Sequence, residues 1–336
     1  MTRSNCADSS CAPLIDRYGR RIDYLRLSVT DRCDLRCSYC RPREFDGYAE
    51  PANWLNFGEI HRVVAAFARM GVGHIRLTGG EPLLRNHIVE LVRDLAHLPG
   101  IEDLSLSTNA TQLARHAAAL KTAGLSRINV SLDSLDRACV RKVCGRDSLD
   151  TIMAGIMAGK AAGLTPVKLN MVAMRGVNDH EIERMAAFCL DNGFILRLIE
   201  AMPIGDAGRN ANYLPLDEVR TQLIERFALT PSSRELGGGP ARYWQTPDGQ
   251  GCIGFITPIS QHFCATCNRV RLSVEGTLYL CLGQEARVEL RPLLRAGIDD
   301  AGLEAAIRKA VDLKPHSHDF VEAPGRIMRF MSQTGG

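Results

Sequence analysis

Between about residues 22 and 200, short β-rich runs alternate with longer amphipathic ones, and this alternation limits the fold more than any other feature of the chain. Ile22 to Thr30 places Leu25, Leu27 and Val29 at period two, the mark of a strand. Phe57 to Met70 carries Ile60, Val63, Val64 and Phe67 on one helical face and stops at Gly71. The cycle repeats, with strands expected at His74–Thr78, Leu104–Thr108, Ile128–Leu132, Val167–Val172 and Phe194–Ile199. Helices are expected near Ile88–His97, Leu113–Ala123, Leu149–Ala162 and His180–Asn192, several of them ending on a glycine (Gly124, Gly163, Gly193). Right-handed crossovers return each strand to one sheet, so six such units predict an α/β fold with a parallel sheet curled into part of a TIM-type barrel. Closure would take eight units, and an incomplete barrel is expected.

Past Glu200 the texture changes. Met202 to Asp206 reads as a loop, Leu216–Phe227 as one more helix, and Gly237-Gly238-Gly239-Pro240 as a flexible break. From Gly251 to Leu282 short strands dominate, with a hairpin turning at Glu275-Gly276 between Val270–Val274 and Thr277–Cys281, and two helical stretches follow. The division expected is an extension at 1–13, a barrel at 14–215 and a C-terminal region at 216–336. The 336 residues carry a net charge of +3 and only 19 aromatics, too few of either for a protein that coats nucleic acid. No apolar run reaches the roughly 18 residues of a membrane helix, and the first residues lead into polar sequence, so the expected compartment is the cytoplasm.

Twelve cysteines in such a chain argue for metal or redox chemistry over disulfides. Six of them (Cys6, Cys11, Cys139, Cys144, Cys189, Cys252) are scattered and read as small hydrophobes or tail residues. The other six form two triplets. Cys33, Cys37 and Cys40 have the spacing C-x3-C-x2-C directly after the first strand, at the carboxyl end where parallel barrels place their chemistry. Three thiolates on a 4Fe–4S cluster leave one iron open to a ligand; the alternative is zinc with a distant fourth donor, or unliganded core cysteines. Cys264, Cys267 and Cys281 repeat the arrangement, with the hairpin returning Cys281 beside the first two. For this triplet a zinc site competes equally, with His262 near enough to serve as a ligand. His316 and His318 read as part of a polar loop.

Asp31-Arg32-Cys33-Asp34-Leu35-Arg36-Cys37-Ser38-Tyr39-Cys40 resembles the hallmark of the radical S-adenosylmethionine (SAM) enzymes. Three further motifs join it: Thr78-Gly79-Gly80-Glu81-Pro82, Asn129-Val130-Ser131-Leu132-Asp133-Ser134 and Cys267-Asn268-Arg269-Val270-Arg271-Leu272. Together they resemble the GTP 3′,8-cyclase family of molybdenum cofactor biosynthesis, in order, over nearly all of residues 14–336.

The resemblance implies two 4Fe–4S clusters, one on each triplet, and SAM chelated by the open iron of the first. Reductive cleavage of SAM then yields a 5′-deoxyadenosyl radical, chemistry that belongs to the cofactor while the protein positions and shields it. Tyr39, Gly79, Gly80, Ser131 and Met202 match the family's SAM contacts. GTP is the implied substrate, its guanine on the open iron of the second cluster and its phosphates held by Arg26, Arg76, Lys168, Arg269 and Arg271. Arg269 and Arg271 lie two apart on a strand and project from one face. Ser107 and Thr108 both stand where the family places a substrate hydroxyl. The implied product is 3′,8-cyclo-7,8-dihydro-GTP, taken up by a separate cyclic pyranopterin monophosphate synthase. A homodimer and a Gly335-Gly336 tail reaching the active site are implied as well.

Several positions depart from the family pattern: Asp34 for a usual Asn, Arg41 for Met, Ala110 for Gly, and Cys144 for Thr. None is a proposed iron ligand. Two other readings compete. One is a radical SAM peptide-modifying enzyme with an auxiliary cluster; the other is a zinc-stabilised nucleic-acid-binding protein with no enzymatic activity.

Overall fold

A computed structural model describes residues 12–40, 51–234 and 236–335. Cys6, Cys11, Arg41 and Gly336 lie outside the described residues. The first part of the chain alternates as expected: β1 (Tyr24–Ser28), α1 (Phe57–Arg69), β2 (His74–Thr78), α2 (Ile88–Ala96), β3 (Asp103–Thr108) and α3 (Leu113–Thr122). There follow β4 (Arg127–Ser131), α4 (Arg137–Cys144), α5 (Leu149–Ala161), β5 (Lys168–Ala173), α6 (Ile182–Asp191) and β6 (Ile195–Glu200). The helix α4 is an addition to the expected pattern: Asp136 caps it by accepting the Cys139 N–H, and it ends at Gly145. A short helix, α7 (Gly205–Arg209), occupies part of the expected loop, and α8 (Leu216–Phe227) falls where the periodicity put it.

The remaining strands are β7 (Thr230–Pro231), β8 (Arg242–Gln245), β9 (Cys252–Ile256), β10 (Arg269–Leu272), β11 (Thr277–Tyr279) and β12 (Arg287–Glu289). Helices α9 (Arg291–Arg295), α10 (Asp300–Asp312) and α11 (Met331–Thr334) complete the chain. All twelve strands join one sheet in the order β12-β11-β10-β1-β2-β3-β4-β5-β6-β9-β8-β7. The six strands of the βα units run parallel, and β10 and β9 extend the parallel run by pairing with β1 and β6. The eight-stranded parallel run is therefore assembled from both parts of the chain.

Strand alternation sorts the side chains. On β1, Leu25 and Leu27 join the apolar core beneath the helices, while Tyr24 and Arg26 face the interior of the curled sheet. On β2, Ile75 and Leu77 join the same core and Arg76 faces in. Helix α1 shows how the outer layer is fixed. Asn56 and Glu59 form a reciprocal capping box, and Ile60, Val63, Val64 and Phe67 are buried against the sheet, each contributing roughly 1.5–3 kcal/mol. A second, small core of Ile204, Phe320, Ile327 and Met331 packs against Cys40, Met202, Ile259 and Leu282, tying the C-terminal segment to the ends of both cysteine regions. No helix among the described residues is long and apolar enough to cross a membrane.

Helix α8 ends on Ala228, which is exposed and left-handed (φ 49°, ψ 42°). An alanine there carries the steric penalty that glycine escapes. Ala228→Gly is expected to raise stability by about 1 kcal/mol, seen as a higher urea midpoint at unchanged slope; an unchanged or lower midpoint contradicts this.

Candidate active site

The first triplet sits on the loop after β1. The Arg36 N–H donates to the Cys144 carbonyl (2.9 Å) and the Ser38 N–H to that of Val143 (2.9 Å), pinning the loop to the end of α4. Cys33, Cys37 and Cys40 border a cavity of about 1020 Å³ together with Tyr39, Gly79, Gly80, Ser107, Thr108, Ser131 and Met202. A hydrogen bond with Cys144, followed by burial, pushes the Cys37 thiol up, and burial does the same for Cys33. Tyr39 donates its hydroxyl to Asp133 (2.7 Å), whose carboxyl burial lifts to about 6. Behind Cys33, the Asn109 amide reaches its sulfur (3.8 Å) and Asp34 (2.8 Å), and Thr111 donates to Asp34 (2.6 Å). Glu81 is fully buried and accepts from Thr108, Asn109 and Leu83, while burial raises its carboxyl to about 7.

Two contacts explain the paired glycines after β2. Gly79 has φ +147°, and a Cβ there would lie 2.2 Å from the Thr30 carbonyl oxygen. At Gly80 a Cβ would lie 2.0 Å from the Arg32 carbonyl oxygen. The two backbones interlock, with Gly80 N–H donating to Thr30 and Glu81 N–H to Arg32 (2.9 and 2.6 Å). Ala110, where the resemblance expects glycine, is buried and left-handed at φ 63°, its N–H on the Thr108 hydroxyl.

Cys264, Cys267 and Cys281 border a second cavity of about 1030 Å³. The hairpin has the expected turn: Arg271 pairs with Tyr279 and Leu272 with Leu278, so Cys281 returns to the start of β10 beside Cys267. Burial opposes ionisation of Cys267, yet Lys314 and Arg269 draw its thiol below the ordinary value. Burial raises Cys264 and Cys281. Lining the same cavity are Arg26, Arg76, Arg269 and Arg271, together with Arg197, Asn170 and Lys314.

The cavities adjoin, because Asn170, Ile199 and Met202 line both. The first triplet follows the carboxyl end of β1, and the second precedes the amino end of β10, its parallel partner. A strand of five residues separates them by roughly 17 Å.

The cations are buried against one another. Burial, then Arg271 and Arg76, lower Arg26, whose Nε and Nη2 find no hydrogen-bond partner. Burial brings Arg76 down to about 10 and Arg271 to about 9. Arg76 reaches Ser105 (3.3 Å), and Arg197 is held by Asn170 (2.8 Å) and Asn129 (2.6 Å). Arg271 donates to the carbonyls of Gly335 (2.6 Å) and Thr334 (3.3 Å), so the tail reaches the chamber; a Cβ at Gly335 would meet Thr78 at 2.3 Å. Lys168 belongs to the cationic group, but it lines neither cavity, and its Nζ donates to the Leu236 carbonyl. Of the two candidate hydroxyls, Thr108 donates its hydrogen bond to Glu81, which leaves Ser107 the free one on the cavity wall.

Arg197 escaped the sequence reading, although a cation inside the apolar run Phe194 to Ile199 was its available signal. Lys314 carried no comparable mark. His318 lines the second cavity and bonds the Pro258 carbonyl (2.8 Å), whereas His316 packs against Tyr18.

The donor sets suit the clusters. Among the described residues no three His, Cys, Asp or Glu side chains converge to hold a single metal ion. Each triplet instead borders a cavity, as suits a cube in which three irons each take a thiolate and the fourth is left open. Because Gly80 holds the strand end that carries Cys33, Gly80→Ala is expected to lose the first cluster, leaving about four irons per chain from about eight. Undiminished iron in that variant contradicts the role given to the close approach.

Residues 27–189 match the radical SAM superfamily and residues 194–320 match Molybdenum Cofactor Synthesis C. The chain is 47% identical over 334 residues to a GTP 3′,8-cyclase of Erythrobacter litoralis, covering 97% of this chain and all of that one. It is 46% identical to a GTP 3′,8-cyclase of Paracoccus denitrificans, covering 98% of each. In fold it is similar to Streptococcus suis SuiB bound to the precursor peptide SuiA, with TM-score 0.61 and 16% identity over 93% of this chain and 76% of that one. Matching family domains on both sides of the chamber, and these full-length relatives, settle the family: the chain belongs to the GTP 3′,8-cyclases, radical SAM enzymes of the first step of molybdenum cofactor biosynthesis.

Proposed function

We propose a division of labour within the chamber for converting GTP to 3′,8-cyclo-7,8-dihydro-GTP. The barrel part, 14–215, holds one cluster on Cys33, Cys37 and Cys40, with SAM bordered by Tyr39, Gly79, Gly80, Ser131 and Met202. The C-terminal part, 216–336, would hold the other on Cys264, Cys267 and Cys281, where the iron left without a thiolate would offer a place for a guanine nitrogen. When bound, the first cluster and SAM supply a 5′-deoxyadenosyl radical that takes a ribose hydrogen. Arg26, Arg76, Lys168, Arg197, Arg269 and Arg271 clamp the triphosphate, the guanidinium forks matching phosphate oxygens in pairs. Ser107 orients the ribose from the shared wall, and the Thr334–Gly335 segment narrows the chamber at Arg271. Supporting all of this is one observation: the two cysteine-lined cavities meet at Asn170, Ile199 and Met202.

The family resemblance further supports a homodimer and a separate cyclic pyranopterin monophosphate synthase that consumes the product. A cytoplasmic setting accords with the ten cysteines among the described residues, none in a disulfide.

Lys168 supplies a test. Burial first, then Arg197, Arg127 and Arg76, depress its ammonium to about 6 from an ordinary 10.5. With the folded value below the unfolded one, the empty chamber holds this lysine mostly neutral across the window between them. A triphosphate brings negative charge that restores the ammonium, so GTP binding near pH 8 takes up protons, approaching one per site. Calorimetry in buffers of different ionisation enthalpy is expected to show that uptake, and Lys168→Met to diminish it. Binding with no net proton uptake would remove Lys168 from the phosphate clamp.

A further inference from the structure

We propose that Lys314 is a positioning residue for the second cluster, its ammonium serving as counter-charge to the thiolates and raising the cluster's reduction potential. The inference rests on the reading that Cys264, Cys267 and Cys281 hold a 4Fe–4S cluster.

Lys314 is among the largest fully buried side chains of the molecule, 1% exposed. Its Nζ donates to the Leu280 carbonyl (2.6 Å), to the Arg269 carbonyl (2.9 Å) and to the Cys267 sulfur (3.6 Å). Leu280 precedes Cys281 and Arg269 opens β10, so one ammonium ties together the two chain segments that present Cys267 and Cys281.

Two other buried cations brace the same triplet. Arg20 donates to the Cys264 carbonyl (2.8 Å) and to those of Pro315 and His316 (2.7 and 2.8 Å). Arg329 donates to the Cys281 carbonyl (3.1 Å) and to that of Leu282. Each arginine has its own carboxylate, Asp16 at 2.6 Å for Arg20 and Glu285 at 2.6 Å for Arg329. Lys314 has none among the described residues; its contacts are two neutral carbonyls and a sulfur.

An ammonium removed from water without a counter-ion is strongly disfavoured. The anion that compensates it must lie on its open side, where the cysteine-lined cavity is. A cube carried by three thiolates is anionic and becomes more so on reduction. A fixed positive charge and an N–H donor on one thiolate both favour the reduced form, so they raise the potential. They also draw electron density from the thiolate, which leaves the open iron a better acceptor for a nitrogen of guanine.

The test is an EPR-monitored redox titration of reconstituted holoenzyme, wild type against Lys314→Met, with iron and sulfide counted in each sample. The second cluster's midpoint is expected to fall in the variant while the first cluster's midpoint stays fixed as the internal reference. About eight irons per chain with both midpoints unchanged would overturn the inference. About four irons in the wild type would overturn the cluster reading instead, and the two failures are distinct. Should Lys314→Met fail to load the second cluster, pulsed EPR of reduced wild-type holoenzyme labelled with nitrogen-15 lysine decides. A lysine hyperfine coupling on the second cluster's signal is expected, and its absence would show that the ammonium does not touch the cluster's sulfur.

Discussion

The repulsion among cations buried on one face of the sheet organises this molecule. Parallel barrels ordinarily fill their interior with branched apolar residues. Here the interior positions carry Arg26, Arg76, Lys168, Arg197 and Arg271, each nine-tenths or more buried. Leaving such groups without a carboxylate partner, on neutral hydroxyls, amides and carbonyls or on nothing, opposes folding, and the apolar layer under the helices offsets it. The fold thus carries an electrostatic load that only a polyanion relieves. That load suits the chamber to the polyanionic triphosphate proposed for it.

A second constraint is the pairing of β10 with β1. Because the two strands run parallel, the cysteines that follow one and precede the other stand at opposite ends of a short ladder. Their separation is set by strand length and not by loop flexibility. In the proposed binding mode, a nucleotide spanning that interval would have its base at one triplet and its ribose turned toward the other. The tail reaches Arg271, and the small core around Ile204 and Met331 packs against Met202, which borders both cavities. Radical chemistry needs a shielded site, since an open one would let the radical attack solvent or protein.

Much of this was legible in the residues. The period-two and period-3.6 runs marked the six βα units, and the cysteine spacings marked both triplets and the hairpin that returns Cys281. What stayed hidden depends on long-range pairing, which no local period records. Nothing in Cys252–Ile256 or Arg269–Leu272 announces that these strands extend the two ends of the first sheet. Arg197 is marked only by its place inside the apolar run Phe194 to Ile199, and Lys314 looks like an ordinary surface charge until the hairpin buries it. The choice between Ser107 and Thr108 likewise needed Glu81, which lies far off in sequence and accepts the threonine's hydrogen bond.

Two adjoining cavities that share Asn170, Ile199 and Met202 would bring the radical source and the substrate sugar of the proposed reaction together. Reaction of GTP deuterated at the ribose 3′ carbon, in ordinary water with SAM and a strong reductant, tests this most directly. Deuterium is predicted to appear in the 5′-deoxyadenosine released. If that deoxyadenosine carries no deuterium while GTP is consumed, the two cavities do not exchange hydrogen across their shared wall, and the account is wrong.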